Sequence, residues 1–361
     1  MEEISWEKIQ QIRNIVEEDK KRITKITEMN KNNKIAFDGS LASLQMDLYI
    51  EGYILDYPHG RIVKYGQRKY FFRGENKIYD KCYSSLGRII ASDRSKKELE
   101  KFKSFLRITK LEDEIIKLNQ VWDWLDRMMG DVLFYAIAQH YGLPTNIIDI
   151  TDDLDVALFF ACCIYDRNIN RYRPLNKEDI EKNPNGVLYI RDENYLLPLE
   201  PDVLPIGYQP FTRCYKQRGY FIKDTLEEDF DLEEKGFKKY FFKHDISFSQ
   251  EIFDKFHGGE DIFDYKNYEI IDNLVKKIEA LKIFSSKVFD IAYNDYVDDN
   301  GKLEKKEILK KLILEGFCVV TVEPQILTLE EINYLNRSWN LEKVIKEEGI
   351  YPCYRRTAES L

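Results

Sequence analysis

The stretch from Asp131 to Tyr165 constrains the fold more than any other part of this chain. It opens with an apolar helical run, Asp131 to Tyr141, closed by Gly142 with Pro144 just beyond, a C-terminal stop pattern. Thr145 to Ile150 follows; it is short and β-branched, and reads as a buried strand. Thr151-Asp152-Asp153 then supplies an acidic first turn, with Thr151 as the N-cap, for a second apolar helix through Tyr165. The predicted unit is helix, buried strand, helix.

The rest of the chain supplies further elements. Trp6 to Met29 places Ile9, Ile12, Ile15, Val16, Ile23 and Ile26 at helical spacing, which predicts an amphipathic helix. Lys69 to Gly74 is dense in aromatic residues and favours a strand. Residues 95–129 read as helical, with Leu99, Phe102, Phe105 and Leu106 on one face. Gly186 to Arg191, Tyr215 to Ile222 and Lys239 to Ile246 read as strands, and 223–238 as an acidic surface excursion. Residues 253–303 read as a charged insertion with one helix, about Tyr268 to Phe284. A helix over 304–315, a strand from Phe317 to Glu323 and a capping box at Thr328-Leu329-Glu330-Glu331 follow, with a last helix from Asn340 to Gly349. The fold class is α+β, a single mixed or antiparallel sheet flanked by helices. The expected divisions are an N-terminal helical segment over 1–49, a main domain over 50–335 and a helical tail over 336–361.

Composition narrows the function. Hydrophobic residues make up 43% and charged residues 33% of the 361 positions, so a packed core is expected. A formal charge of -9 argues against broad, non-specific nucleic-acid binding, while leaving room for a local Arg cluster around a phosphate. The six cysteines show no metal-ligand spacing, and free thiols fit a reducing compartment. The acidic N-terminus carries no apolar run, and Leu154 to Tyr165 is too short to span a bilayer, so the expected location is the cytoplasm, with no membrane partner. The defining motifs of zinc proteases, P-loop ATPases, Rossmann oxidoreductases and nucleophile-elbow hydrolases do not occur.

Four blocks carry the remaining signal. They are Phe71-Phe72-Arg73-Gly74-Glu75 with Ser84-Ser85-Leu86-Gly87-Arg88; Ala138 to Thr145 running into Ile148-Asp149-Ile150-Thr151-Asp152 and Val156 to Ala161; Arg213 with Gln217 to Phe221; and Gly316 to Pro324, then Leu327. Their order resembles the FRG-domain family, named for its aromatic-Arg-Gly strand, over roughly residues 50 to 335. Asn146, Ile150 and Ser84 depart from the family's usual Arg, Trp and Pro. The resemblance implies a component of a bacterial toxin or phage-defence system. It also implies an ADP-ribosyltransferase-like fold and activity, in which the Arg-Gly strand meets NAD as the substrate.

That reading assigns roles. Arg73 would grip the diphosphate through its planar fork, and Gly74 would let the backbone approach the ligand. His140 and Tyr141 would stack on a ring or bond a ribose hydroxyl, unless they serve as a helix-capping His and a core Tyr. Asp149 needs a partner such as Arg73 or Arg88. Thr151, besides capping, has access to a ligand phosphate. Gln217 or Glu323 would take the place of the catalytic carboxylate. The cofactor-contacting set is Arg73, Gly74, Arg88, Gln139, His140, Asp149 and Thr151; the catalytic set is Arg73, His140, Tyr141, Gln217 and Glu323. Two other readings stay open: an RNA-directed toxin or nuclease, and a non-catalytic module sensing a nucleotide or phage protein. The modified macromolecule and any antitoxin partner are unknown.

Overall fold

The computed structural model describes residues 1–32, 52–57, 60–65, 70–127, 132–192, 203–228, 230–322, 324–341 and 343. In chain order the strands are β1 (Glu2–Glu3), β2 (Gly52–Tyr57), β3 (Gly60–Tyr65), β4 (Tyr70–Glu75), β5 (Ile147–Thr151), β6 (Cys163–Asp166), β7 (Arg171–Pro174), β8 (Asn185–Asp192), β9 (Leu204–Pro205), β10 (Gly219–Lys223), β11 (Lys238–Lys243), β12 (Ile283–Ser285) and β13 (Cys318–Val320). The principal helices are α1 (Trp6–Asn32), α2 (Ser85–Ser92), α3 (Lys97–Ile115), α4 (Phe134–His140), α5 (Leu154–Cys162), α6 (Ile246–Lys255), α7 (Tyr265–Ala280), α8 (Ser286–Asp298), α9 (Lys305–Leu314) and α10 (Leu329–Ser338). The fold is α+β.

The main sheet runs β1-β11-β8-β4-β5-β10-β9. Its pairs are antiparallel except for the parallel contact of β1 with β11. Successive residues of β4 point to opposite faces, and both faces are covered. Phe72 joins Leu188, Phe242 and most of α5 in one core, with Ile9, Ile12 and Val16 of α1 behind them. Phe71 joins Ile148, Ile150, Tyr189, Tyr220 and Ile222 in the core of the other face. Double burial explains why β5 and β8 are apolar runs rather than alternating ones.

One pairing is much shorter than the rest. β4 and β8 pair over six residues from Tyr70↔Asp192 to Glu75↔Val187. Between β4 and β5 only Phe72↔Thr151 is in register. Beyond it the strands part, and the carbonyl of Asp149 receives the Arg73 guanidinium at 2.9 Å in place of a ladder N–H.

α5 lies across β4 at this parting. A Cβ on Gly74 would stand 1.8 Å from the Ala157 carbonyl oxygen, so glycine here permits a helix to sit on a strand. The backbone freedom expected for a ligand at Gly74 is spent first on this packing. The cap of α5 is Asp153, whose side chain accepts from the Asp155 N–H, rather than Thr151. Thr151 ends β5, donating its hydroxyl to the Gln217 carbonyl and accepting from the Asp153 N–H.

Several elements depart from the sequence reading. α5 stops at Cys162, and Cys163 to Asp166 turns into a hairpin with β7, which buries Cys163 completely and pairs Tyr165 with Tyr172. Arg213 to Lys216 is a helical turn, and the strand expected from Tyr215 begins at Gly219. The expected single sheet is in fact one main sheet and three two-stranded ones, and the late strand β13 pairs with β12 instead of joining the centre. The segment 253–303 adds no strand to the main sheet but is firmly built in. Ile271, Leu274, Val275 and Ile278 of α7 share a core with α4, Ile147 and Phe221, and α8 forms a second core with α3 and α9. The excursion 223–238 is pinned by Phe230, Leu232 and Phe237. The capping box opens α10 as expected. Most of the tail helix expected from Asn340 to Gly349, like residues 33–49, lies outside the described residues.

Gly74→Ala tests the close approach of α5 to β4. The added methyl has a carbonyl where it must go, and the substitution is expected to destabilise the protein by about 1–3 kcal/mol or more, seen as a lower melting temperature. An unchanged melting temperature would disprove the tight contact.

Candidate active site

Where β4 and β5 part, the sheet opens into a cleft of about 350 Å3. Arg73, Gly74, Arg88, Gln139, His140, Asp149, Thr151 and Gln217 all line it, though they come from four separated stretches of sequence. Two expected members are not among its lining residues. Tyr141 is 6% exposed and packs into the core beside Phe211 and Tyr268, its ring 3.9 Å beneath the Arg213 guanidinium. Consecutive residues at a helix end point about 100° apart, so His140 and its neighbour do not share a face. Glu323 lies outside the described residues.

Arg73 is held from two sides. Its Nη1 donates to the Asp149 carbonyl at 2.9 Å, and its Nε lies 3.4 Å from Glu75 Oε1. Burial disfavours its charge, but Glu75 and Asp149 offset that, and its pKa is raised, so it stays cationic. Glu75 is a carboxylate that sequence reasoning passed over. It is 7% exposed, accepts from the Cys82 thiol at 3.4 Å, and its Oε2 has no partner among the described residues. Burial pushes the Cys82 thiol up to about 12, so it remains a donor rather than a thiolate. Glu75 directly follows the Arg73-Gly74 pair, and alternation along the strand puts Arg73 and Glu75 on one face. That alternation was the available signal.

Asp149 is fixed by amides. Gln139 donates its Nε2 to Asp149 Oδ2 at 3.0 Å, while its Oε1 accepts from Ser85 and Thr145 hydroxyls at 2.9 and 2.6 Å. The sequence reading expected an arginine partner for this carboxylate; Arg73 reaches only its backbone oxygen. Gln217 fixes His140 in the same way. Its Nε2 donates to the Ile262 carbonyl at 3.2 Å, which turns its Oε1 to His140 Nδ1 at 2.9 Å. Nδ1 therefore carries the proton and Nε2 the lone pair. Nε2 stands 3.7 Å from Asp149 Oδ1, and neither atom has a hydrogen-bond partner among the described residues. Arg213 anchors the end of α4 from below. It donates to the carbonyls of His140 and Phe263 and makes a two-pronged pair with Asp272 of α7.

Aromatic rings also line the cleft, among them Phe160 from α5, Tyr165 from β6 and Tyr172 from β7. Sequence reasoning missed them because it placed Tyr165 in a helix. Among the described residues, no group of His, Cys, Asp and Glu is arranged to hold a metal ion, and no helix is long and apolar enough to cross a membrane.

Burial lowers the His140 pKa, Arg213 adds to the effect, and Asp149 and Gln217 oppose it. His140 is thus neutral at pH 7. Its contribution to stability is fully present above the ordinary histidine range, near 6.5, and is lost as pH falls through the lowered folded value. His140→Gln, which cannot titrate, is expected to lose less melting temperature than wild type between pH 7 and pH 5. His244, also lowered chiefly by burial, acts equally in both proteins. Identical losses would contradict the assignment.

Comparison with known proteins locates the same region. Residues 68–169, which include β4, α2, α3, α4, β5 and α5, match the family model of the FRG domain. Searches of curated proteins and of solved structures gave no match. The matched segment, similar to the FRG domain, supplies Arg73, Glu75, Arg88, Gln139, His140 and Asp149 to the cleft.

Proposed function

We propose that the cleft binds NAD and catalyses ADP-ribosyl transfer, as the effector of a bacterial toxin or phage-defence system. The observation that carries this reading is one cleft lined by the Arg73 cation, paired with Glu75, and by the Asp149 carboxylate. Breaking the nicotinamide–ribose bond leaves positive charge on the sugar, which a nearby carboxylate stabilises, while the diphosphate requires cations. The Asp149 side chain is 34% exposed and so reaches the cleft. Gln217 is committed to His140 and the Ile262 carbonyl, so the carboxylate role falls to Asp149 in this proposal, with Glu75 beside it. Arg73 spends two donors on the protein itself, whereas Arg88 is exposed and bonded only to the Tyr83 carbonyl among the described residues. Arg88 therefore takes the outer phosphate contact and Arg73 the inner one. A central sheet opened at an Arg-bearing strand supports an ADP-ribosyltransferase-like arrangement.

The test is nicotinamide release from NAD by the purified protein, alone and with extract from infected cells as the source of acceptor. Asp149→Asn is expected to lower kcat by about a hundredfold or more through lost charge stabilisation. Arg88→Ala is expected to raise KM with kcat nearly unchanged, because an exposed phosphate contact binds ground and transition states alike. Arg73→Lys retains charge but loses the fork, and is expected to abolish both turnover and growth arrest on expression in a bacterial host. Its melting temperature must be measured beside wild type, since the Asp149 carbonyl loses its donor as well. NAD binding without turnover under every condition would move the conclusion to a sensing module.

A further inference from the structure

Among the described residues that line the cleft, the aromatic Tyr165 is both exposed and fixed in place. Its exposure is 43%. Cross-strand pairing sets it opposite Tyr172, with ring centroids 5.4 Å apart at 66°. Tyr172 in turn stacks on Phe263 at 5.0 Å and 16°, so the support behind the pair belongs to the core. The Tyr165 hydroxyl donates to the side chain of Asn170, which sits at φ 56 in the turn of the same hairpin. Ring edge and hydroxyl are thus both restrained, and a tyrosine has few torsions left to lose on binding.

We propose that Tyr165 is a stacking platform for the adenine base of an adenosine nucleotide. This assignment rests on the NAD reading for the orientation of the ligand, though not for the stacking itself. A flat ring stacks on an exposed aromatic face without needing directional partners. The bond that reacts must lie beside Asp149 and Glu75, so the nicotinamide end is committed there. Tyr165 lines the same cleft from the β6–β7 hairpin and receives the distal base. The diphosphate then spans between them, within the reach of Arg73 and Arg88.

The experiment is calorimetric titration of the full chain with NAD, AMP and nicotinamide mononucleotide, for wild type, Tyr165→Ala and Tyr165→Trp. Tyr165→Ala is expected to weaken NAD and AMP by roughly 5- to 150-fold and to leave nicotinamide mononucleotide unchanged. Tyr165→Trp, which enlarges the platform, is expected to keep or improve both adenine ligands. AMP binding that depends on Tyr165, without any NAD turnover, would support the platform while overturning the transferase reading. Loss of nicotinamide mononucleotide affinity in Tyr165→Ala would place the other ring on Tyr165 and overturn the assignment. So would unchanged AMP and NAD affinity, or a wild-type protein that binds no adenine ligand.

Discussion

The Arg73–Asp149 contact is the interaction on which the site depends. A sheet that stayed paired from β4 to β5 would bury this region under ordinary ladder bonds and leave no opening. Here the two strands separate after one residue pair, which strands the Asp149 carbonyl. A buried acceptor without a donor costs about 1–3 kcal/mol. The guanidinium of Arg73 supplies that donor, and the same cation becomes the electrostatic centre of the cleft. Structural need and chemical potential thus meet in one side chain.

The flanking groups follow from that opening. Gln139 and Gln217 each spend one end of the amide on the scaffold and the other on a titratable group, so the orientations of Asp149 and His140 are set by uncharged partners. Neutral amides hold geometry without cancelling charge. Arg213 is the other buried arginine of importance, and its role differs in kind. With Tyr141 against its face and Asp272 across its fork, it ties α4 to α7 and works as a keystone beneath the cleft. It also explains why 253–303, charged on its surface, is joined tightly to the rest.

Much of this was legible in the sequence. Composition and periodicity identified a buried strand over Thr145–Ile150, which the structure places at Ile147–Thr151, the apolar helices on either side, the Arg-bearing strand and the capping box at Thr328, because local burial pattern and cap chemistry suffice for each. The polar residues embedded in those apolar runs pointed to the cleft. What local pattern lacked was direction. His140 and Tyr141 are adjacent in sequence and face different surroundings, and Glu75 looked like the end of a motif until strand alternation placed it beside Arg73.

By itself, then, the sequence determined the α+β class and the main elements, since these depend on hydrophobic period and on a few cap and turn residues. Tertiary structure decided the rest. Only the fold could part β4 from β5, commit Gly74 to the passage of α5, end that helix at Cys162 and fold Tyr165 back as an aromatic wall. The hairpin that ends α5 is held against the core through Tyr172 on Phe263. The parting of β4 from β5 and the commitment of Gly74 turn on contacts between residues far apart in the chain, so no local window contains both partners.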